Sequence, residues 1–99
     1  MNMQAMLKQA QTLQKKMMEE QELINNSTFY GDTELVKVTV KGNKRIEKIE
    51  FKNVEEFSKD DLEVLEDMIV VAINDALSQI DKETEAKLGK YTKGMPGLF

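Results

Sequence analysis

The sequence holds no cysteine, no histidine and no tryptophan, and only one proline. Without cysteine there is no disulfide framework, zinc knuckle or thiol nucleophile. That absence fits a reducing compartment. Without histidine, the commonest general base and metal ligand is missing. Gly31 and Gly42 stand alone, so no glycine-rich loop can cradle a phosphate. No apolar run approaches the ~20 residues a membrane span needs. The first residues, MNMQAMLKQAQ, are too polar for a signal peptide. What remains is a small cytoplasmic domain, not an enzyme, with no metal, cofactor, membrane or small-molecule substrate implied.

The 99 residues make a single domain, 1–99. An apolar fraction of 40% against 32% charged residues predicts a thin core, since a domain this small buries roughly 60–65% of its unfolded surface. A partner subunit is therefore expected. The net charge of −4 is unevenly spread. Residues 1–24 are neutral and 25–54 carry +2, whereas 55–85 carry −9 and 86–99 carry +3. A pI near 4.9 argues against a whole-surface nucleic-acid binder. Local basic patches stay open, because charges more than ~8–10 Å apart are largely screened.

Residues 3–24 read as one helix. Met3, Met6, Ala10, Leu13, Met17, Glu20 and Ile24 recur at spacings of three and four, a heptad seam with one polar intruder, Glu20. Asn25, Asn26 and Ser27 end it. The period then changes to two. Val36, Val38 and Val40 alternate with Lys37, Thr39 and Lys41 as a half-buried strand. Gly42-Asn43 signals a two-residue hairpin, and the return strand runs from about Lys44 to Phe51. Ile46 breaks its alternation, which predicts an irregularity there. Thr28 to Tyr30, before Gly31-Asp32, reads as a third short strand. Residues 59–88 read as a second long helix, with Ser58 at its N-cap and Asp61 in the capping-box position. Gly89 is its expected stop, and 90–99 a loose tail. The helices would be ~33 and ~45 Å long. A compact chain of this size has a radius of gyration of ~13 Å, so part of each helix must project.

The carboxylates Asp60, Asp61, Glu63, Glu66 and Asp67 are dense, but they sit in the first turns of an amphipathic helix. A solvated face favoured by the helix dipole accounts for them, and no loop spacing supports a cation site. Three sets of basic residues could meet an anion: Lys8, Lys15 and Lys16 on the first helix; Lys41, Lys44, Arg45, Lys48 and Lys52 around the hairpin; and Lys87, Lys90 and Lys93 at the end of the second helix. Ordinary solubilising charge is the plain alternative for all three.

The segments MLKQAQ at 6–11, LVKVTVKGNKRIEKIEF at 35–51, LEDMIVVAINDAL at 65–77 and GMPGLF at 94–99 together resemble the YbaB/EbfC family of bacterial nucleoid-associated proteins, over nearly the whole chain and in the same order. The resemblance implies an α+β fold: a long N-terminal helix, a three-stranded antiparallel sheet and a long C-terminal helix, paired as a homodimer with projecting helices. It also implies nucleoid-associated binding of duplex DNA without enzymatic activity, with a bearing on nucleoid organisation or gene expression. The family's DNA contacts are attributed to the projecting helices, which carries over to Lys8, Lys15 and Lys16 and then to Lys87 and Lys90.

The residues themselves add two expectations. Met68 to Ile73 is apolar all round, so Met68, Ile69, Val71, Ala72 and Ile73 are expected to meet a partner subunit. Residues 1–18 carry Lys8, Lys15 and Lys16 and no carboxylate, so the first helix is the expected phosphate-contacting element. The alternative is a helical protein-interaction module that uses its Met-rich seam and binds no DNA.

Overall fold

The computed structural model describes residues 2–94. Helix α1 spans Met3–Asn26, followed by strands β1 (Thr28–Asp32), β2 (Val36–Lys41) and β3 (Ile46–Phe51). Two short 3-10 turns, Val54–Glu56 and Lys59–Asp61, lead into α2, Leu62–Gly94. The fold is α+β, with an antiparallel sheet in the order β1-β2-β3.

Local chemistry sets the element ends. At the start of α1, the Asn2 side chain accepts a hydrogen bond from the Gln4 N–H at 3.0 Å. At its end, the Ser27 hydroxyl donates to the Leu23 carbonyl at 2.7 Å. The capping box ahead of α2 forms as expected: the Ser58 N–H donates to Asp61 Oδ2 at 2.7 Å. The helix opens there as a 3-10 turn and becomes α-helical from Leu62.

Sheet and helix meet through small residues. Val36, Val38 and Val40 are fully buried, against Leu65, Ala72, Ala76 and Ile80 of α2. Gly31 of β1 lies so close to α2 that a Cβ there would stand 1.7 Å from the Ala72 carbonyl oxygen. Gly42 has the same relation to the Ile24 carbonyl at the end of α1. Gln79 ties α2 to the strand again by donating to the Tyr30 carbonyl at 2.9 Å.

The irregularity at Ile46 is a bulge. Val40 pairs with Ile46 and Thr39 with Lys48, which leaves Glu47 without a partner. The hairpin itself differs from the two-residue expectation. Four residues, Gly42-Asn43-Lys44-Arg45, separate β2 from β3, which begins only at Ile46. The Lys44 N–H donates to the Lys41 carbonyl and the Lys41 N–H to Arg45. The left-handed position falls on Lys44, at φ 68°, rather than on glycine. Gly42 serves a different purpose: a Cβ there would stand 1.7 Å from the Ile24 carbonyl oxygen.

The second helix also departs from expectation. It does not stop at Gly89 but continues through Lys90 to Gly94. Packing against α1 is the reason: Leu88 and Gly89 line one hollow with Met17 and Met18, and Lys90 reaches Glu20. Those contacts outweigh the ~1 kcal/mol that a glycine costs inside a helix. The rest of the expected tail, 95–99, lies outside the described residues.

Beyond Ile80, α2 leaves the sheet and runs antiparallel to α1. Leu88 and Gly89 come level with Met17 and Met18, and Lys90 reaches Glu20. Residues 2–12 of α1 are all exposed. The molecule is thus a sheet with a helical stalk, 71 × 21 × 14 Å, with a radius of gyration of 19.6 Å.

Gly31→Ala and Gly89→Ala should separate sharply in thermal melts. At Gly31 the clash is with backbone, and overpacking of this kind costs ~1–3 kcal/mol, so the midpoint should fall by ~5 °C or more. At Gly89 the nearest atom is the end of the Glu85 side chain, so the alanine variant should melt at or above the wild-type temperature.

Candidate nucleic-acid interface

Charge in the folded chain is sorted along its long axis. α1 contributes Lys8, Lys15 and Lys16, all exposed and, among the described residues, without an ion-pair partner. At 100° and 1.5 Å per residue, Lys8 and Lys15 stand ~20° apart around the helix and ~10 Å apart along it. Lys16 lies ~100° further round. Lys87 is exposed and unpaired among the described residues, beside Glu20 and Glu83.

Lys90 is placed differently. Its Nζ lies 3.4 Å from Glu20 Oε1 and 5.1 Å from the centre of the Tyr91 ring. It therefore holds α2 to α1 instead of standing free. The side chain of Lys93 lies outside the described residues.

The hairpin cations are mostly neutralised. Lys44 pairs with Asp81 at 3.0 Å, Lys48 with Glu50 at 3.7 Å and Lys41 with Glu47 at 4.0 Å. Lys52 pairs with Asp32 and donates to the Thr33 carbonyl at 2.7 Å. Lys37 sits 4.8 Å over the Tyr30 ring. Only Arg45 of the hairpin group lacks a carboxylate among the described residues. Each exposed pair contributes ~0–1 kcal/mol to stability. Their larger effect is to cancel the sheet's positive charge.

Seven of the eighteen acidic residues gather at the other end. Glu55, Glu56, Asp60, Asp61, Glu63, Glu66 and Asp67 flank the start of α2. From Glu63 to Lys90 is ~40 Å of helix, several times the ~8 Å Debye length at physiological salt. That acidic cluster and the carboxylate-free start of α1 therefore present separate fields. Among the described residues, no three His, Cys, Asp or Glu side chains converge to hold a metal. No described helix is long and apolar enough to cross a membrane.

The five residues expected to meet a partner separate into two groups. Ala72 is fully buried within the protomer, under Gly31, and Met68, Ile69 and Ile73 pack against the same core. Val71 stands open at 57% exposure. A further open apolar surface lies on the sheet. α2 packs over β1 and β2, and Ile46, Ile49 and Phe51 of β3 remain 42–47% exposed on the same face as the buried valines. Alternation marked Ile49 and Phe51 as a face in the sequence. That a single helix would leave that face uncovered was not marked.

Sequence reasoning also missed Glu20 as a contact. It appeared only as a polar break in the seam, yet it is half-buried, pairs with Lys90 and has Oε2 buried without a hydrogen-bond partner among the described residues. The break itself was the available signal.

Comparison with known proteins agrees with this picture. Residues 1–95 match the model of the YbaB/EbfC DNA-binding family. A "Nucleoid-associated protein" of Lactococcus lactis subsp. cremoris is 50% identical over 98 residues, covering 97% of this chain and 98% of that protein. One from Enterococcus faecalis is 45% identical, covering 98% and 94%. Another, from Ligilactobacillus salivarius, is 42% identical, covering 99% and 95%. The family is described as DNA-binding and the relatives as nucleoid-associated, and none of these descriptions is of an enzyme. With a family match over nearly its full length and relatives at this identity, the chain belongs to the YbaB/EbfC DNA-binding family.

Proposed function

We propose that this protein is a nucleoid-associated factor that binds duplex DNA as a homodimer, through lysines on the α1 stalk and with little sequence preference. The observation that carries the reading is the sorting of charge. Among the described residues Lys8, Lys15 and Lys16 stand free on a segment without carboxylates, while the hairpin lysines are paired and the densest acidic cluster lies at the far end. Phosphate contacts of this kind fix position without reading bases. Lys87 adds to the set from α2. Lys90 contributes less, because Glu20 holds it.

The uncovered β3 face supports pairing of two copies. Ile46, Ile49 and Phe51 form an apolar surface on an edge strand, which single soluble domains avoid. A second copy bringing the same face would cover both in one two-fold contact. Pairing there leaves both α1 stalks free to reach DNA.

Sedimentation at micromolar concentration should give twice the 11.4 kDa chain mass. Ile49→Glu, exposed in the protomer but buried in the pair, should give a folded monomer, since an unpaired buried charge costs ~3–5 kcal/mol. A folded wild-type monomer would overturn the dimer.

Gel shifts on duplexes of unrelated sequence should show equal affinities that fall with salt, with a log–log slope of about three to five. Lys8→Glu with Lys15→Glu should weaken binding on every duplex alike, while Lys44→Glu leaves it nearly unchanged. If wild type binds no duplex at low salt, the protein-interaction reading through the Met-rich seam takes its place.

A further inference from the structure

β3 lies at one edge of the sheet, paired with β2 alone, and its ladder shows where its free backbone groups point. The Lys52 N–H donates to the Leu35 carbonyl at 2.8 Å. Hydrogen-bonded and non-hydrogen-bonded pairs alternate along an antiparallel ladder. Lys52, Glu50 and Lys48 therefore turn N–H and C=O inward, opposite Leu35, Lys37 and Thr39 of the β2 side. Ile49 and Phe51 turn theirs out to the open edge. The other edge of the sheet is partly closed, because the Tyr30 carbonyl of β1 already accepts from Gln79.

A row of outward N–H and C=O groups is a template for another strand, and the side chains of β3 decide which strand fits. Ile49 and Phe51 stand exposed on the apolar face. Lys48 and Glu50 share the opposite face, 3.7 Å apart. Residues directly opposite across an antiparallel pair lie on the same face, and like charges so placed are destabilising. A two-fold pairing of β3 with itself that matches outward groups must centre on a residue, and near mid-strand that is Lys48, Ile49 or Glu50. Centring on Lys48 sets Lys48 against Lys48. Centring on Glu50 sets Glu50 against Glu50 and Lys48 against Lys52. Centring on Ile49 sets Lys48 of each copy opposite Glu50 of the other, twice over, and Ile49 against Ile49 on the apolar face. Of the three registers, this one alone opposes unlike charges.

We propose that two copies of the chain pair antiparallel along their β3 edges with the two-fold axis at Ile49, joining two three-stranded sheets into one. Ion pairs between Lys48 of one copy and Glu50 of the other fix the register. The two Ile49 residues exchange their outward N–H and C=O groups across the axis. Because α2 packs over β1 and β2, the open Ile46, Ile49 and Phe51 of both copies then form one apolar strip between two α2 helices. The inference rests on the homodimer reading above and adds the contact and register of the pair.

The chain has no cysteine, so a single introduced thiol reports each register. A residue on the axis faces its own copy at a Cα separation of ~5.5 Å, within reach of a disulfide. One residue off the axis, the separation of the two copies exceeds ~7 Å. Under equal oxidation, Ile49→Cys should give a covalent dimer severalfold faster than Lys48→Cys or Glu50→Cys, read by non-reducing electrophoresis. Charge reversal gives a second readout and leaves the protomer core untouched. Lys48→Glu or Glu50→Lys alone should raise the dimer dissociation constant about tenfold in sedimentation. Mixed together, these two variants should form a heterodimer in preference to either homodimer. Fastest cross-linking through Lys48→Cys or Glu50→Cys, cross-linking through none of the three, or no preference in the mixture would overturn the register while the dimer stands. A folded wild-type monomer would remove both.

Discussion

Everything in the molecule hangs on the seating of α2 against β1 and β2. Ala72 and Ala76 on the helix, and Gly31 on the strand, let the two backbones come close enough to bury Val36, Val38 and Val40 completely. Each valine so buried contributes ~1.5–3 kcal/mol, which makes this patch the main apolar store of a thin domain. The same close approach has a geometric cost. One helix about 10 Å wide cannot blanket three strands spaced ~4.8 Å apart while also running on beyond the sheet. β3 is the strand left over, and its Ile49 and Phe51 share the buried face without sharing the cover. The proposed dimer contact is thus a consequence of how the protomer's core is built.

The length of α2 has a second consequence. Its first half is held by the sheet, and its second half is long enough to carry α1 alongside as a stalk, joined by Met17, Leu88 and the Glu20–Lys90 pair. Distance then does electrostatic work. Carboxylates at the start of α2 and lysines on α1 are separated by several Debye lengths, so a chain with net charge −4 can still present a positive end. The ion pairs on the sheet sharpen that polarity by cancelling most of the hairpin's charge. Net charge is a poor guide to partners when the molecule is 71 Å long.

Two glycines show where reading by residue type reaches its limit. Gly42 looks like a turn glycine and Gly89 like a helix stop, yet the turn's left-handed position falls on Lys44 and the helix passes through Gly89. In both places the residue also meets a contact distant in sequence: the carbonyl of Ile24 against Gly42, and α1 against Leu88 and Gly89. A local signal states what a residue permits. Packing determines which permission is used.

What the sequence determined alone was periodic and local. The 3.6-residue stripes of α1 and α2, the alternation of Val36, Val38 and Val40, the misfit at Ile46 that became a bulge and the Ser58–Asp61 box were all legible, because each is set by neighbours a few residues away. The carboxylate-free run at 1–18 was legible for the same reason. Tertiary structure alone decided which lysines stand free and which apolar residues stay open. Lys44 meets Asp81 and Lys90 meets Glu20 across long stretches of chain, and Ala72 is buried while Val71 beside it is bare. Such outcomes depend on where α2 crosses the sheet and on how far it runs, and no window of local sequence contains that geometry.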